Sequence, residues 1–285
     1  MRPNTQFVLI FSFMLAVLLM SGAPLLPAET PGNNHIVVPL GDPSRPAQVR
    51  AHLLNGGITV KTHQRNEVIV DARVRAGDDD EEQPESRPKG GLHRIPMTST
   101  GLSVEAENNE VHISTDSTRH SINLTITVPV HTSLSLHTVN DGDIVVSGVD
   151  GELDVNDVNG EVTLTNISGS AVAHALNGKV LVTFNRVDSQ KPMAFSSLNG
   201  DIDVTFPPDI KGNLSMRSDN GEVYSDFDIQ LQTTSPQPTV EDGRGKGGKY
   251  VVRVEKTVRG TINGGGPEIQ FKNFNGNIYI RKAGK

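Results

Sequence analysis

The chain has 285 residues, with 26 Lys and Arg against 33 Asp and Glu and a net charge of −7. That acidic balance lacks the basic footprint a nucleic-acid binder needs, and the absence of cysteine excludes disulfides, thiolate metal sites, a cysteine nucleophile and a lipid anchor on an N-terminal Cys. Trp is absent, aromatic residues make up 4% and Gly numbers 28, a composition short of stacking platforms and large core fillers that suits a thin, repetitive β structure better than a deep-pocketed enzyme.

The chain opens with Met1-Arg2, an apolar run from Phe7 to Met20, and then Ser21-Gly22-Ala23 and Pro-Leu-Leu-Pro-Ala. A basic start, a short apolar stretch and small residues predict a secretory signal over 1–28, cleaved after Ala28. The run is short for a transmembrane helix; an uncleaved anchor extending to Leu26 is the alternative, and membrane contact is expected only through that segment. Residues 29–120 are expected to form an N-terminal β region, with 32–75 capping one end of the fold and the closing strand the other. Strand signals within it are Gly57-Ile-Thr-Val-Lys-Thr, Val68-Ile-Val-Asp-Ala-Arg-Val and Leu102-Ser-Val-Glu-Ala, each with apolar residues at alternate positions. Between them, 77–96 is charged, rich in Pro and Gly and without period, which reads as a mobile acidic loop. Its run Asp78-Asp-Asp-Glu-Glu82 lacks the spacing of a calcium loop and is read as solvated charge.

Residues 121–285 carry a repeat, so that 29–285 reads as one continuous domain. Gly142, Gly151, Gly160, Gly169 and Gly178 fall nine apart, in Asp-Gly-Asp-Ile-Val-Val, Asp-Gly-Glu-Leu-Asp-Val, Asn-Gly-Glu-Val-Thr-Leu and their successors. The motif returns at Asn199-Gly200, Asn220-Gly221 and Asn275-Gly276. Asn-Gly and Asp-Gly mark tight turns. The apolar residues two and four positions after each Gly face one way, and so short a unit buries its apolar face only by stacking on its neighbours. The predicted fold is therefore all-β: a β-solenoid of 18–22 residues per turn, with Ile144, Val146, Val162, Leu164, Val180, Val182, Ile202 and Val204 as its inward ladder. A meander of antiparallel hairpins is the competing reading, because Asn-Gly is also a hairpin signal. A second break, 233–249, contains Gly-Arg-Gly-Lys-Gly-Gly followed by Lys249 and Tyr250. It lacks the Ser/Thr and the helix of a phosphate loop, and reads as a flexible basic loop.

Thr127-Val-Pro-Val130, the Ser-Leu-Ser-Leu-His-Thr-Val-Asn-Asp-Gly-Asp-Ile after it, Asn55-Gly-Gly-Ile-Thr-Val and the Asn-Gly-x-(Ile/Val) repeats through Ile280 resemble the bacterial putative-adhesin family of β-strand-repeat domains of unknown function, related to autotransporter-adhesin head domains. The resemblance covers most of 50–285 and implies an exported, right-handed parallel β-helix-like domain without a catalytic signature.

Stacked turns would place Asp143, Glu161, Lys179, Asp201 and Glu222 along one edge at about the 4.8 Å strand spacing. That makes Asp143, Glu161, Asp201 and Glu222 calcium candidates, although the glycine-rich nonapeptide of calcium-binding β-rolls is absent and a polar outer edge explains them as well. Asn159, Asn177, Asn199, Asn220 and Asn275 are expected to be structural, hydrogen-bonding between turns. The histidines at 35, 52, 63, 93, 112, 120, 131, 137 and 174 show no metal-ligand spacing, and no Gly-x-Ser-x-Gly elbow is present. No cofactor is expected. Together these features predict an exported, non-enzymatic binding or structural module, periplasmic or on the cell surface, whose partner is an envelope protein or a surface polymer. The alternatives are a periplasmic scaffold or sensor domain of an envelope-response system, favoured by an uncleaved 7–26 segment, and a β-helix carbohydrate-active enzyme.

Overall fold

The structure is a computed structural model that describes residues 33–75, 100–115, 120–232, 239–242, 250–253 and 257–284. The expected signal segment 1–28, the acidic loop 77–96 and the basic stretch 243–249 lie outside the described residues. The chain divides into two units, Met1–Thr30 and Pro31–Lys285, and the second carries all of the described strands. Among the described residues there is no helix. Twenty strands join in one sheet, and Thr239–Asp242 and Tyr250–Arg253 pair apart as a small antiparallel ribbon.

Successive repeats pair side by side and parallel, not as hairpins. In one row, Ile144, Val162 and Val180 are direct neighbours at eighteen-residue steps, and Ile202 continues the line. In a second row, Leu136, Val155, Ala173 and Phe195 do the same. Each repeat contributes one strand to each row, so it forms a rung of a two-row stack. Val162–Ala175 serves both rows: 162–169 pairs with 180–187 and 168–175 pairs with 150–157. Alternation puts every second side chain between the rows. All eight ladder residues expected from the sequence are buried, none more than 3% exposed. Phe184, Phe195, Phe206 and Phe271 fill the wider rungs, with Phe184 and Phe206 stacked at 5.3 Å and Phe195 and Phe271 at the same distance.

The rungs do not follow chain order at either end: of the expected cap over 32–75 only 33–39 and 67–74 lie at the end of the stack, 47–63 is an inner rung, and the closing strand does not cap. Ala47–Asn55 and Ile58–His63 lie inside the stack, between the rung of Glu110–Thr115 and Ile122–Pro129 and that of Thr132–Asn140 and Ile144–Ser147. At the other end the closing strands, Glu268–Asn275 and Ile278–Lys282, slot between Met193–Asn199/Ile202–Phe206 and Gly212–Asn220/Val223–Ser225. Capping falls to antiparallel strands laid across the last rungs. Leu102–Glu107 covers Glu110–Thr115, Glu67–Val74 covers Ile122–Pro129, and Asn33–Pro39 covers Glu67–Val74. Val258–Ile262 and then Gln230–Leu231 cover Gly212–Asn220. Such strands blunt the open edges that a stack of parallel rungs would otherwise present.

Candidate functional site

Three surfaces of the stack bear on function: the Asn-Gly corners, the edge beside them, and the outer face of the row that contains Thr132–Asn140 and Asp150–Asp157.

At the corners the turn asparagines form one continuous amide ladder. Nδ2 of each donates to Oδ1 of the next, from Asn220 to Asn275 (2.9 Å), Asn199 (2.8 Å), Asn177 (2.8 Å), Asn159 (2.9 Å), Asn140 (3.0 Å) and Asn55 (3.1 Å). Asn140 and Asn55 extend the ladder beyond the residues expected from the sequence, because Asn140 precedes Asp141 rather than Gly and Asn55 sits in the out-of-order rung. The accompanying glycines are packing positions. A β-carbon on Gly178 would lie 1.9 Å from Gly160 O, and one on Gly151 2.2 Å from Thr132 O. At the other corners a β-carbon on Gly142, Gly160, Gly200, Gly221 or Gly276 would come within 2.0–2.5 Å of a neighbouring backbone oxygen or nitrogen. Gly151 and Gly169, expected as turns, instead lie inside strands Asp150–Asp157 and Val162–Ala175, where a β-carbon on Gly169 would meet Gly151 O at 2.2 Å. Asn177→Ala removes two links of the ladder at an exposed site. It is expected to cost about 1–2 kcal/mol, read as a lower denaturation midpoint in urea with an unchanged slope.

The calcium candidates occupy the edge next to this ladder but are used as hydrogen-bond acceptors. Asp143 Oδ1 accepts from Glu161 N (2.8 Å), Asp201 Oδ1 from Asn277 N (2.8 Å), Glu161 Oε1 from the Thr163 hydroxyl (3.0 Å) and Glu222 Oε2 from the Tyr224 hydroxyl (2.6 Å). The out-of-order rung puts Asn277 between Asp201 and Glu222, and Lys179 separates Glu161 from Asp201, so only Asp143 and Glu161 are adjacent acids in the line. Among the described residues no group of three or more His, Asp or Glu gathers in a way that would hold a metal ion.

The outer face of the other row carries an open groove of about 630 Å³. Its polar lining is Gln48, Ser133, Ser135 and Ser170 together with the charged Arg50, Lys191, Glu152 and Asp154. The strands position these groups because alternation turns them outward opposite Val49, Leu134 and Leu153, which are buried. Lys191 pairs with Glu152 across the groove, and Arg50 pairs with Glu110 at 2.8 Å. Beyond Lys191 a second hollow holds Arg186, bonded to both oxygens of Asp150 at 2.9 and 3.0 Å, with His131 3.4 Å from the same carboxylate. Ser170 is 7% exposed and lines both hollows. Farther along this face His174 Nδ1 lies 2.7 Å from Ser196 Oγ. Burial, with Lys272 nearby, lowers the His174 pKa. Its register neighbours are Asn156 and Ser196. Among the described residues no carboxylate bonds to the other ring nitrogen, so the pair lacks the third group of a hydrolytic triad. None of the groove residues stands out as a site candidate in the sequence, because register alone brings 48–50, 133–135, 152–154 and 170 together.

The profile of the Toastrack DUF4097 family matches residues 48–263. The chain belongs to this family. No curated protein matches it significantly. Among solved structures, a putative cell adhesion protein from Clostridium sporogenes is similar over 89% of this chain and all of its own, with 12% identity and a TM-score of 0.43. A putative adhesin from Bacteroides fragilis is similar over 90% of this chain and 98% of its own, also with 12% identity and a TM-score of 0.37. In this Toastrack chain the matched region runs from the first inserted rung to the strand Val258–Ile262, so the closing strands lie beyond it.

Proposed function

We propose that this Toastrack protein is an exported, non-enzymatic, adhesin-like binding module of the cell envelope, built as a right-handed parallel β-helix. Its partner is a surface polymer or an envelope protein, held in the groove on the outer face. The single observation that carries the reading is that groove. It is a strip of hydroxyls, carboxylates and paired cations laid on a rigid stack, open along its length and without a convergent nucleophile, base and orienting acid. Open, polar surfaces spread over several repeats are how stacked-repeat proteins hold extended partners. The parallel register at eighteen-residue steps supports the helical description, and the composition of residues 1–28 supports export.

The test uses purified protein against envelope polysaccharides and cross-linked envelope fractions of the source bacterium. Ser135→Trp fills the groove floor from an outward position and is expected to abolish retention while the melting temperature stays within a few degrees of the parent. Retention unaffected by Ser135→Trp, and by Lys191→Glu on the other side, overturns the assignment of the groove. Protease shaving of unbroken cells tests the location: removal of the protein places it on the surface, and protection until the outer membrane is opened places it in the periplasm.

A further inference from the structure

The inward side of the Asn-Gly corners repeats a polar contact three residues before the glycine. Ser197 Oγ donates to Gly178 O at 2.9 Å, Asn273 Nδ2 to Gly200 O at 2.9 Å, and Ser218 Oγ to Gly276 O at 3.0 Å. In each case the acceptor is the corner glycine of the adjacent rung. Three residues before Gly160 the same place is held by Asp157, and the corner glycine of the rung beside it is Gly142.

The surroundings of the glycines show that the place is the same. A β-carbon on Gly221 would meet Gly276 O at 2.0 Å and Ser218 Oγ at 2.9 Å; on Gly276, Gly200 O at 2.5 Å and Asn273 Nδ2 at 3.0 Å. On Gly160 it would meet Gly142 O at 2.2 Å and Asp157 Oδ2 at 2.7 Å. Asp157 Oδ2 thus stands where the other rungs put a donor aimed at the glycine carbonyl. An ionised carboxylate has no proton to give and would set two oxygens against each other in the core.

We propose that Asp157 is held as the neutral acid and donates its Oδ2–H to the Gly142 carbonyl, so that this corner is a proton-dependent latch between two rungs. Asp157 is fully buried, and neither of its carboxyl oxygens has a donor in good geometry. Its register neighbour Thr138 is buried too, and its hydroxyl has no hydrogen-bond partner in good geometry either. Burial pushes the Asp157 carboxyl up to about 6, opposed in part by Thr138 and the Asn159 amide and reinforced by the negative charge of Asp143. Among the described residues, the groups that shift it include no cation. The strands on either side turn Leu134, Leu136, Ala171, Ala173 and Ala175 inward, while His137 and His174 point out from the same rows. The neighbouring corners carry Asp141 and Asp143 on one side, Glu161 on its own, and Lys179 on the next. When the latch opens, the proton leaves to solvent and the carboxylate must be hydrated or separated from Gly142 O.

The direction of the pH effect is set by the two states. The unfolded carboxyl titrates near 3.8 and the folded one at about 6. Below about pH 4 both are protonated and the contribution is complete. Between about 4 and 6 the folded state alone keeps its proton, so stability falls as pH rises, and above 6 the loss levels off. That window corresponds to a rise of roughly a hundredfold in the unfolding constant from this one group.

The experiment compares urea unfolding of the parent and Asp157→Asn from pH 4 to 8. The amide of the variant can donate to Gly142 O as Asn273 does to Gly200 O. The expected result is a ratio of the two unfolding constants that shifts by roughly a hundredfold in favour of Asp157→Asn between pH 4 and 7. A ratio that stays constant across that range overturns the latch. Should Asp157→Asn fail to fold, Asp157→Ser takes its place, with a hydroxyl donor like that of Ser197. In the parent itself, a carboxyl carbon resonance that titrates near 6 and is assigned to Asp157 supports the proposal, and one that titrates below 4 sinks it.

Discussion

Val162→Asp is expected to leave no folded protein at 25 °C. Val162 is 0% exposed and sits in mid-ladder, with Ile144 on one side and Val180 on the other. The change removes the transfer free energy of an aliphatic side chain, about 1.5–3 kcal/mol. It also puts a carboxyl among Val and Ile, where no donor is at hand. The group then either ionises in the core or stays neutral through a pKa rise, and either route costs several kcal/mol more. Together these approach or exceed the about 5–15 kcal/mol that holds a domain of ordinary stability. Circular dichroism should show loss of the β signal, and the variant should be degraded rapidly by added protease. Val162→Ala provides the scale: it makes a small cavity without a buried charge and should cost about 1–3 kcal/mol with a cooperative transition retained.

Gly178→Ala should be nearly as damaging, by a different route. Its β-carbon would lie 1.9 Å from Gly160 O and 2.6 Å from Gly160 C, atoms of the backbone that no rotamer change can move aside. The two corners would have to part by more than an ångström. That would break the Asn177–Asn159 amide bond at 2.9 Å and strain the bond from Val162 N to Lys179 O, also 2.9 Å. The expected loss is on the order of 3–5 kcal/mol, large for the addition of one methyl group. Gly264→Ala separates contact from conformation. Gly264 has φ +87° and nothing within 4 Å of where its β-carbon would go, so only the left-handed backbone penalises alanine, by about 1–2 kcal/mol. Thermal melts of the two variants should therefore differ clearly, with Gly178→Ala melting lower.

Much of this fold is legible in the sequence because it is local. Of the glycines at nine-residue steps, Gly142, Gly160 and Gly178 fall at corners between strands, while Gly151 and Gly169 lie inside strands Asp150–Asp157 and Val162–Ala175 instead of at turns; alternation after each of them still names the inward residues. The same alternation already points inward at Asp157, two positions after Val155 and four after Leu153, but the charge of an aspartate suggests a solvent face to any reading made one turn at a time. The acids beside the corners look like a cation row for a related reason: the repeat shows which position they hold but not that the next rung's amide nitrogen is already there. What the sequence does not disclose is the order of the rungs. Asn275-Gly-Asn-Ile has the same motif as Asn220-Gly-Glu-Val, and nothing in either says that the later one lies nearer the middle. The groove depends on that order as well, since Gln48 and Arg50 reach Ser133 and Ser135 only because 47–63 is inserted beside 132–147.

The inserted closing rung bears on how the molecule is made. A stack whose rungs followed the chain could grow turn by turn behind a ribosome or a translocation pore, each new turn docking on the last. Here the turn at 212–225, paired on its outer side with Val258–Ile262, is not joined to 193–206 until the strands at 268–282 lie between them, for these pair with 212–225 on one side and with 193–206 on the other. Strands later in the chain thus close a gap between segments made earlier, a contact of long sequence separation that forms slowly. Until then two strand edges stay bare, one on 193–206 and one on 212–225, so this end of the stack is held together only once the inserted rung bridges them.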